Sequence, residues 1–146
     1  VKAIMPQWLK PEEAPLASRF YASEGQKEKA RRDERIAVLR EPNGQIVAAL
    51  RLSPRESEWV LRALRVASHR QGQGLARVLM EFVLEAFEAP IWCFSVAHLE
   101  RFYLSLGFVQ VAPASAPESI AGPFQAYLRH QPLVLLRHPG CRRAPF

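Results

Sequence analysis

The stretch from Trp59 to Val83 limits what this 146-residue chain can fold into more than any other. An apolar, strand-like run, Trp59 to Val66, feeds a short polar connection. Gly72 and Gly74 follow, and Leu75, Ala76, Val78, Leu79, Phe82 and Val83 then begin a helical pattern. Strand, glycine turn and amphipathic helix in that order belong to an α/β protein. The first N–H groups of a helix lack intrahelical partners, and the helix dipole adds partial positive charge there. Glycine lets backbone approach a ligand without Cβ interference. The turn therefore reads as a phosphate site.

The flanking sequence supplies the rest of the sheet. Val1 to Met5 reads as a short strand bounded by Pro6, and Pro11-Glu12-Glu13 as a helix start. Leu16, Ala17 and Phe20 would face inward as far as about Ser23, and Gly25 ends that helix. The charged stretch Gln26 to Asp33 reads as a loop or exposed helix. Arg35–Arg40 and Gln45–Leu52 flank Glu41-Pro42-Asn43-Gly44 as a hairpin; Ser53 to Ser57 is a second turn, and Glu58 to Val66 the third strand. The helix after the glycines runs to about Glu88 on a stripe of Leu75, Leu79, Phe82 and Ala86, with Pro90 as its stop. Ile91 to Val96 has the apolar character of a strand buried on both faces. Ala97 to Ser105 reads as a helix carrying Leu99, Phe102, Tyr103 and Leu106, with Gly107 at its C′ position. Phe108 to Val111 resumes β character, Ala112 to Pro123 is turn-forming, Phe124 to His130 a short helix, and Leu133 to Arg137 a last strand. A meander followed by β-α-β-α-β is one mixed-sheet α/β domain over residues 1–138, with a flexible tail at 139–146.

Charge and cysteine content narrow the function. The net charge of +6 invites an anionic partner, but only Lys27 to Arg35 is a dense basic cluster. Acids interrupt it and no aromatic residue is interleaved to stack bases, so nucleic-acid binding is a remote alternative and the arginines read as solvated. Cys93 and Cys141 fit neither a metal spacing nor a disulfide framework. Cys93, among Ile91, Trp92 and Phe94, reads as core, and Trp8, Trp59 and Trp92 as packing residues. No apolar run approaches the roughly 18 residues of a bilayer span and no signal-peptide pattern opens the chain, so a cytoplasmic location without membrane partners is expected.

Three phosphate motifs can be tested on Gln71 to Arg77. A P-loop needs Lys-Ser/Thr where Leu75-Ala76 stand. A dinucleotide fingerprint needs a small residue where Arg77 stands. What fits is Gln/Arg-x-x-Gly-x-Gly/Ala, filled by Gln71, Gly74 and Ala76, with the strand ending at Val66. With this motif the chain resembles the GCN5-related N-acetyltransferase (GNAT) superfamily, in which the same turn wraps the pyrophosphate of acyl-coenzyme A. Ala97 to Phe108 resembles the family's later motif, a helix ending in aromatic-Tyr-x-x-x-Gly-Phe, here Phe102-Tyr103-Leu104-Ser105-Leu106-Gly107-Phe108. One helix and one strand separate the two motifs, as in the family, and the resemblance extends over about Glu58 to Val111.

The resemblance implies a GNAT-like mixed central sheet flanked by helices and splayed at the fourth and fifth strands. It implies acyl transfer, most simply of acetyl from acetyl-CoA to a primary amine by direct attack in a ternary complex, with no metal. The coenzyme-binding set would be Leu64, Arg65 and Val66 on the strand and Arg70, Gln71, Gly72, Gln73, Gly74, Leu75, Ala76 and Arg77 on the turn. A bulge at Leu64-Arg65-Val66 would open a slot for the pantetheine arm, and the Val66 amide would face the thioester carbonyl. Tyr103 would protonate the departing thiolate. The family has no fixed base; Glu58 is the candidate, with Glu56, His69 and His98 as alternatives. Val96 stands where members often carry a coenzyme-contacting Asn, and Leu99 where a small residue is usual. The acceptor, a small-molecule or peptide amine, would be selected by the variable parts: Phe20 to Arg35, the hairpin turn and Ala112 to Pro123. The protein would act as a monomer or homodimer. The alternative is a non-catalytic acyl-CoA-binding or regulatory module.

Overall fold

β-Branched and aromatic runs become strands, and a computed structural model describes them over residues 4–141. The strands are β1 (Met5–Trp8), β2 (Arg35–Arg40), β3 (Ile46–Arg55), β4 (Glu58–Val66), β5 (Ile91–Val96), β6 (Val109–Gln110) and β7 (Leu133–His138). The α-helices are α1 (Ala14–Ser23), α2 (Leu75–Ala86), α3 (Glu100–Ser105) and α4 (Glu118–Leu128). The sheet order is β1-β2-β3-β4-β5-β7-β6. Pairing is antiparallel at β1–β2, β2–β3, β5–β7 and β6–β7, and parallel at β4–β5 through Val60↔Trp92 and Leu61↔Cys93. This is a mixed α/β fold of the expected class. The chain divides into two compact units, one of residues up to Ser53 with Arg62–Val83, the other of Pro54–Leu61 with residues from Leu84 on.

In the first unit, β2 and β3 bury Ile36 to Leu39 and Val47 to Ser53 almost completely. Gly44 sits at φ +91° in the hairpin turn, which the Glu41 N–H to Gln45 O bond closes at 2.9 Å. β1 departs from the expected Val1–Met5 strand. It starts at Met5 and runs through Pro6, which lies opposite Leu39 on an edge strand, where the absent N–H is tolerated; residues 1–3 lie outside the described residues. α1 buries Ala17 and Phe20 as expected, with Ala14 and Tyr21 beside them, while Leu16 is only half-buried. A 3₁₀ turn, Pro11–Glu13, leads into it.

Helix α2 is shorter than the span from Gly72 to Glu88, because both glycines lie in the turn before it. Its buried side chains are Leu79, Met80 and Val83, so the inward stripe is rotated from the expected one and Ala86 is exposed. Phe82 packs at the side of the stripe, its ring 5.7 Å from that of Trp8.

In the second unit, β7 pairs with both β5 and β6, placing the last strand between two earlier ones. Residues 112–123 are more ordered than a turn-rich reading allows. α4 begins at Glu118 and holds Pro123 within it. The Pro117 carbonyl accepts from the Ile120 and Ala121 amides at 2.9 and 2.8 Å, closing the first turn. Ile120 and Phe124, four apart, enter a core with Val60, Trp92 and Leu135. Burying two such side chains is worth about 3–6 kcal/mol, which matches or exceeds the cost of about 3 kcal/mol for an interior proline. Upstream, β3 extends through Pro54 to Arg55, so the expected Ser53–Ser57 turn narrows to Glu56-Ser57, with Glu56 at φ +55°.

The segment after β7 is tied down as far as it is described. The Gly140 N–H donates to His138 Nδ1 at 2.9 Å and the Cys141 N–H to Phe87 O at 2.8 Å. A Cβ on Gly140 would lie 2.4 Å from the Ala89 carbonyl oxygen, so the chain passes there only without a side chain. Residues 142–146 of the expected tail lie outside the described residues. Among the described residues, no helix is long and apolar enough to cross a membrane, and no three metal-ligating side chains cluster.

Candidate functional site

The first unit assembles the glycine turn from the end of β4. Ala63 has φ +57°, a left-handed conformation in the middle of a strand, and its carbonyl accepts the Tyr21 hydroxyl at 2.7 Å. The backbone irregularity thus falls one residue before the Leu64-Arg65-Val66 segment expected to bulge. The Gln71 side-chain amide donates to the Val66 carbonyl at 3.1 Å, so this motif residue closes the connection. Between them, the Ala67 amide donates to Val47 O at 2.8 Å and the Arg70 amide to Ala67 O at 2.9 Å, making a 3₁₀ turn of Ser68–Arg70.

Gly72 and Gly74 have φ +79° and +77°, the reason glycine is needed twice in three residues. A Cβ at either would meet nothing within 4 Å, so the constraint is conformational and the space beside the turn is open. The Val78 amide donates to Gly74 O at 3.2 Å, placing the Leu75 and Ala76 amides ahead of the helical ladder. Gln71 to Gly74 are exposed and Leu75 to Arg77 half-buried. Two tight positive-φ positions followed by a helix N-terminus with open space alongside suit a pyrophosphate.

The arginines around this turn hold protein groups. Arg70 Nη1 pairs with Glu41 at 3.0 Å and its Nε donates to Gln73 Oε1 at 3.0 Å. Arg65 Nη2 lies 3.2 Å from Glu24 Oε1, and Arg65 Nε is buried with no hydrogen-bond partner among the described residues. Glu24 Oε1 also accepts the Ser68 amide and hydroxyl, each at 2.9 Å. Burial alone would raise the Glu24 pKa; the Ser68 and Arg65 donors outweigh it and hold the carboxyl below its ordinary value. The alternative base His69 is exposed, 3.9 Å from Glu41 Oε2.

The second unit carries the two proposed proton-handling groups. Glu58 Oε1 accepts the Trp92 indole N–H at 2.8 Å. Tyr103 is only 5% exposed, against Phe108 at 5.4 Å between ring centroids and beside the Cys93 side chain. Burial first, and the neighbouring Cys93 second, raise the Tyr103 phenol well above its ordinary pKa. Cys93 is core, as expected, and burial pushes its thiol up to about 12. Trp92 and Cys93 are consecutive on β5 and point to opposite faces, so Glu58 and Tyr103 belong to opposite faces of that strand. His98 and Leu99, in a 3₁₀ turn before α3, are exposed, and Ser95 is buried with its hydroxyl on the Val96 carbonyl.

The aromatic-Tyr-x-x-x-Gly-Phe motif has a structural cause. The Phe108 amide donates to Tyr103 O at 3.2 Å and the Gly107 amide to Leu104 O at 3.1 Å, the paired bonds of a Schellman stop, with Gly107 at φ +100°. The Tyr103–Phe108 ring contact is the apolar clasp that accompanies such a stop. Tyrosine, glycine and phenylalanine at this spacing are thus one helix-ending device.

The model of the Acetyltransferase (GNAT) family matches residues 2–108 of the sequence. The chain belongs to the GNAT family. Solved GNAT structures resemble it throughout. An acyl-CoA N-acyltransferase from Pseudomonas aeruginosa is 22% identical, with a TM-score of 0.64 over 93% of this chain and 99% of that one. ElaA of Escherichia coli is 19% identical, with a TM-score of 0.64 over 93% and 99%. N-acetylglutamate synthase from Neisseria gonorrhoeae, solved with coenzyme A and N-acetylglutamate, is 13% identical, with a TM-score of 0.66 over 97% of this chain. The present chain spans 37% of that synthase. At these identities the likeness shows the GNAT fold. Among proteins of curated function, none matches the sequence. The family match stops at Phe108, leaving β6, α4 and β7 outside it.

Several residues that shape the site escape sequence reading. Tyr21, Glu24 and Glu41 grip β4 and the turn from 42, 44 and 29 positions away respectively. Trp92, the partner of Glu58, reads as packing alone.

Proposed function

We propose that this GNAT protein is an acyl-CoA-dependent N-acyltransferase that moves acetyl from acetyl-CoA to a primary amine by direct attack in a ternary complex, within one N-acetyltransferase domain over residues 1–138. The observation that carries the reading is the turn itself: two left-handed glycines, open space beside them and unladdered amides at the start of α2. The amides of Gly72 to Ala76 bind the pyrophosphate. Arg70 and Gln71 act by holding the turn in shape, since both are bonded to protein groups. The Val66 N–H meets the thioester oxygen, where negative charge develops during aminolysis.

Glu58 accepts the proton that the acceptor ammonium loses before its nitrogen attacks, directly or through a water, and Tyr103 faces the sulfur. The amine enters on one side of the acyl carbon and the thiolate leaves on the other, so groups on opposite faces of β5 suit these roles. The raised Tyr103 phenol restricts what it does. A thiol of pKa about 8.5 is the stronger acid, so full proton transfer from Tyr103 to the thiolate is uphill and the hydroxyl contributes mainly a hydrogen bond. Replacing it should therefore cost about 10- to 100-fold and no more. The acceptor is a small-molecule or peptide amine and the setting cytoplasmic. An acyl-CoA donor accords with the family match and with the coenzyme A bound in the N-acetylglutamate synthase structure.

A second reading, a module that binds acyl-CoA without turnover, draws on the burial of Tyr103 and on Val96 in place of the family asparagine. A free-thiol assay over a library of amines separates the two. The enzyme reading expects CoA release with at least one amine, slowed by Tyr103→Phe while acetyl-CoA affinity holds. Binding without release across the library selects the module, and unchanged single-turnover chemistry in Tyr103→Phe removes that residue from the mechanism.

A further inference from the structure

Among the described residues only two besides glycine have positive φ, Glu56 and Ala63. Glu56 lies in a tight turn, where such angles are common. Ala63 lies inside β4, where an L residue adopts φ +57° only if its surroundings force it. The Tyr21 hydroxyl donates to the carbonyl of this residue at 2.7 Å. We propose that Tyr21 is a positioning residue for the acyl donor: its hydroxyl holds Ala63 in the left-handed conformation that directs Leu64–Val66. The inference rests on the acyltransferase reading and extends it to a residue 45 positions from Val66.

The geometry around Tyr21 suits this task. Its ring has no exposed surface, and burial keeps the phenol protonated and therefore a donor. The Arg51 guanidinium lies 5.8 Å from the ring centroid, and Arg51 is itself fixed by both Glu34 oxygens, by Glu28 and by the Lys29 carbonyl. Three residues along α1, Glu24 binds the Ser68 amide. The end of α1 therefore grips the chain at Ala63 and again at Ser68, on either side of Leu64–Val66. Packing alone does not ask for the hydroxyl, since phenylalanine fills the same volume.

The test reads the bound donor directly and needs no acceptor. Calorimetry measures acetyl-CoA affinity, and isotope-edited infrared spectroscopy of bound [1-¹³C]acetyl-CoA reports the hydrogen bond to the thioester carbonyl. In Tyr21→Phe, affinity should stay within about threefold of the unsubstituted protein while the carbonyl stretch moves back toward its value in free solution. Ala63→Gly accepts the left-handed conformation without strain, so Tyr21→Phe/Ala63→Gly should recover the unsubstituted stretch, and Ala63→Gly alone should leave it unmoved. An unmoved stretch in Tyr21→Phe, or a double variant displaced as far as the single one, overturns the assignment and leaves the acyltransferase reading intact. Absence of acetyl-CoA binding by the unsubstituted protein overturns that reading, and this inference with it.

Discussion

Arg51 Nη1 donates to both carboxylate oxygens of Glu34, at 3.0 and 3.1 Å, with both side chains almost wholly buried. Ser53 and Glu28 complete the group. A buried ion pair adds little over an apolar pair, but breaking one strands a charge. Glu34→Gln should therefore destabilise the protein by about 3 kcal/mol, read as a fall in the urea midpoint at unchanged m-value; an unchanged midpoint would show that the pair carries no such weight. This cluster was hidden in the sequence. Glu34 sits in Lys27 to Arg35, where neighbouring charges offer local neutralisation, and Arg51 sits in a run that otherwise reads as a half-buried strand. Only the register that sets Arg35 opposite Leu52 brings Arg51 beside the Glu34 end of β2. Glycine behaves oppositely. Gly72, Gly74 and Gly107 were legible because positive φ leaves few alternatives to glycine.

Elements with a single strong local cause match their sequence reading most closely. β4 spans Glu58–Val66 as expected, because an apolar run bounded by turns defines it. α3 ends where Gly107 requires, and that position supports a prediction. Gly107→Ala would impose φ +100° on an L residue and set its Cβ 3.2 Å from His138 Nε2. A loss of about 1–3 kcal/mol in urea unfolding is expected; a neutral outcome would mean that the Schellman stop is not what ends α3. Elements fixed by tertiary packing were less legible. α4 carries a proline and a glycine that argue against a helix, and it forms because Ile120 and Phe124 reach the core with Val60, Trp92 and Leu135. The insertion of β7 between β5 and β6 left no local mark either, since a strand's neighbours are chosen by the whole sheet. The stripe of α2 was offset because hydrophobicity alone does not distinguish Phe82, beside Trp8, from Met80 beneath the helix.

At the scale of the whole molecule, the donor side of the proposed chemistry is the part that has a sequence pattern. A pyrophosphate needs backbone amides in one conformation, and that conformation writes itself as glycines before a helix. Acceptor recognition needs only side chains of suitable shape on variable loops, and those leave no comparable pattern. The GNAT match over residues 2–108 spans the turn and the Tyr-Gly-Phe helix stop. The central claim is that the turn from Gly72 to Arg77 holds the coenzyme. Calorimetry with acetyl-CoA tests it on three proteins: unsubstituted, Gly74→Ala and Gly74→Glu. Alanine adds the strain of φ +77° alone, whereas glutamate adds a negative charge and bulk in the space beside the turn. Binding by the unsubstituted protein, weakened about 5- to 30-fold by alanine and abolished by glutamate with the fold retained, is the predicted result. No binding by the unsubstituted protein, or the same affinity in Gly74→Glu, would contradict it.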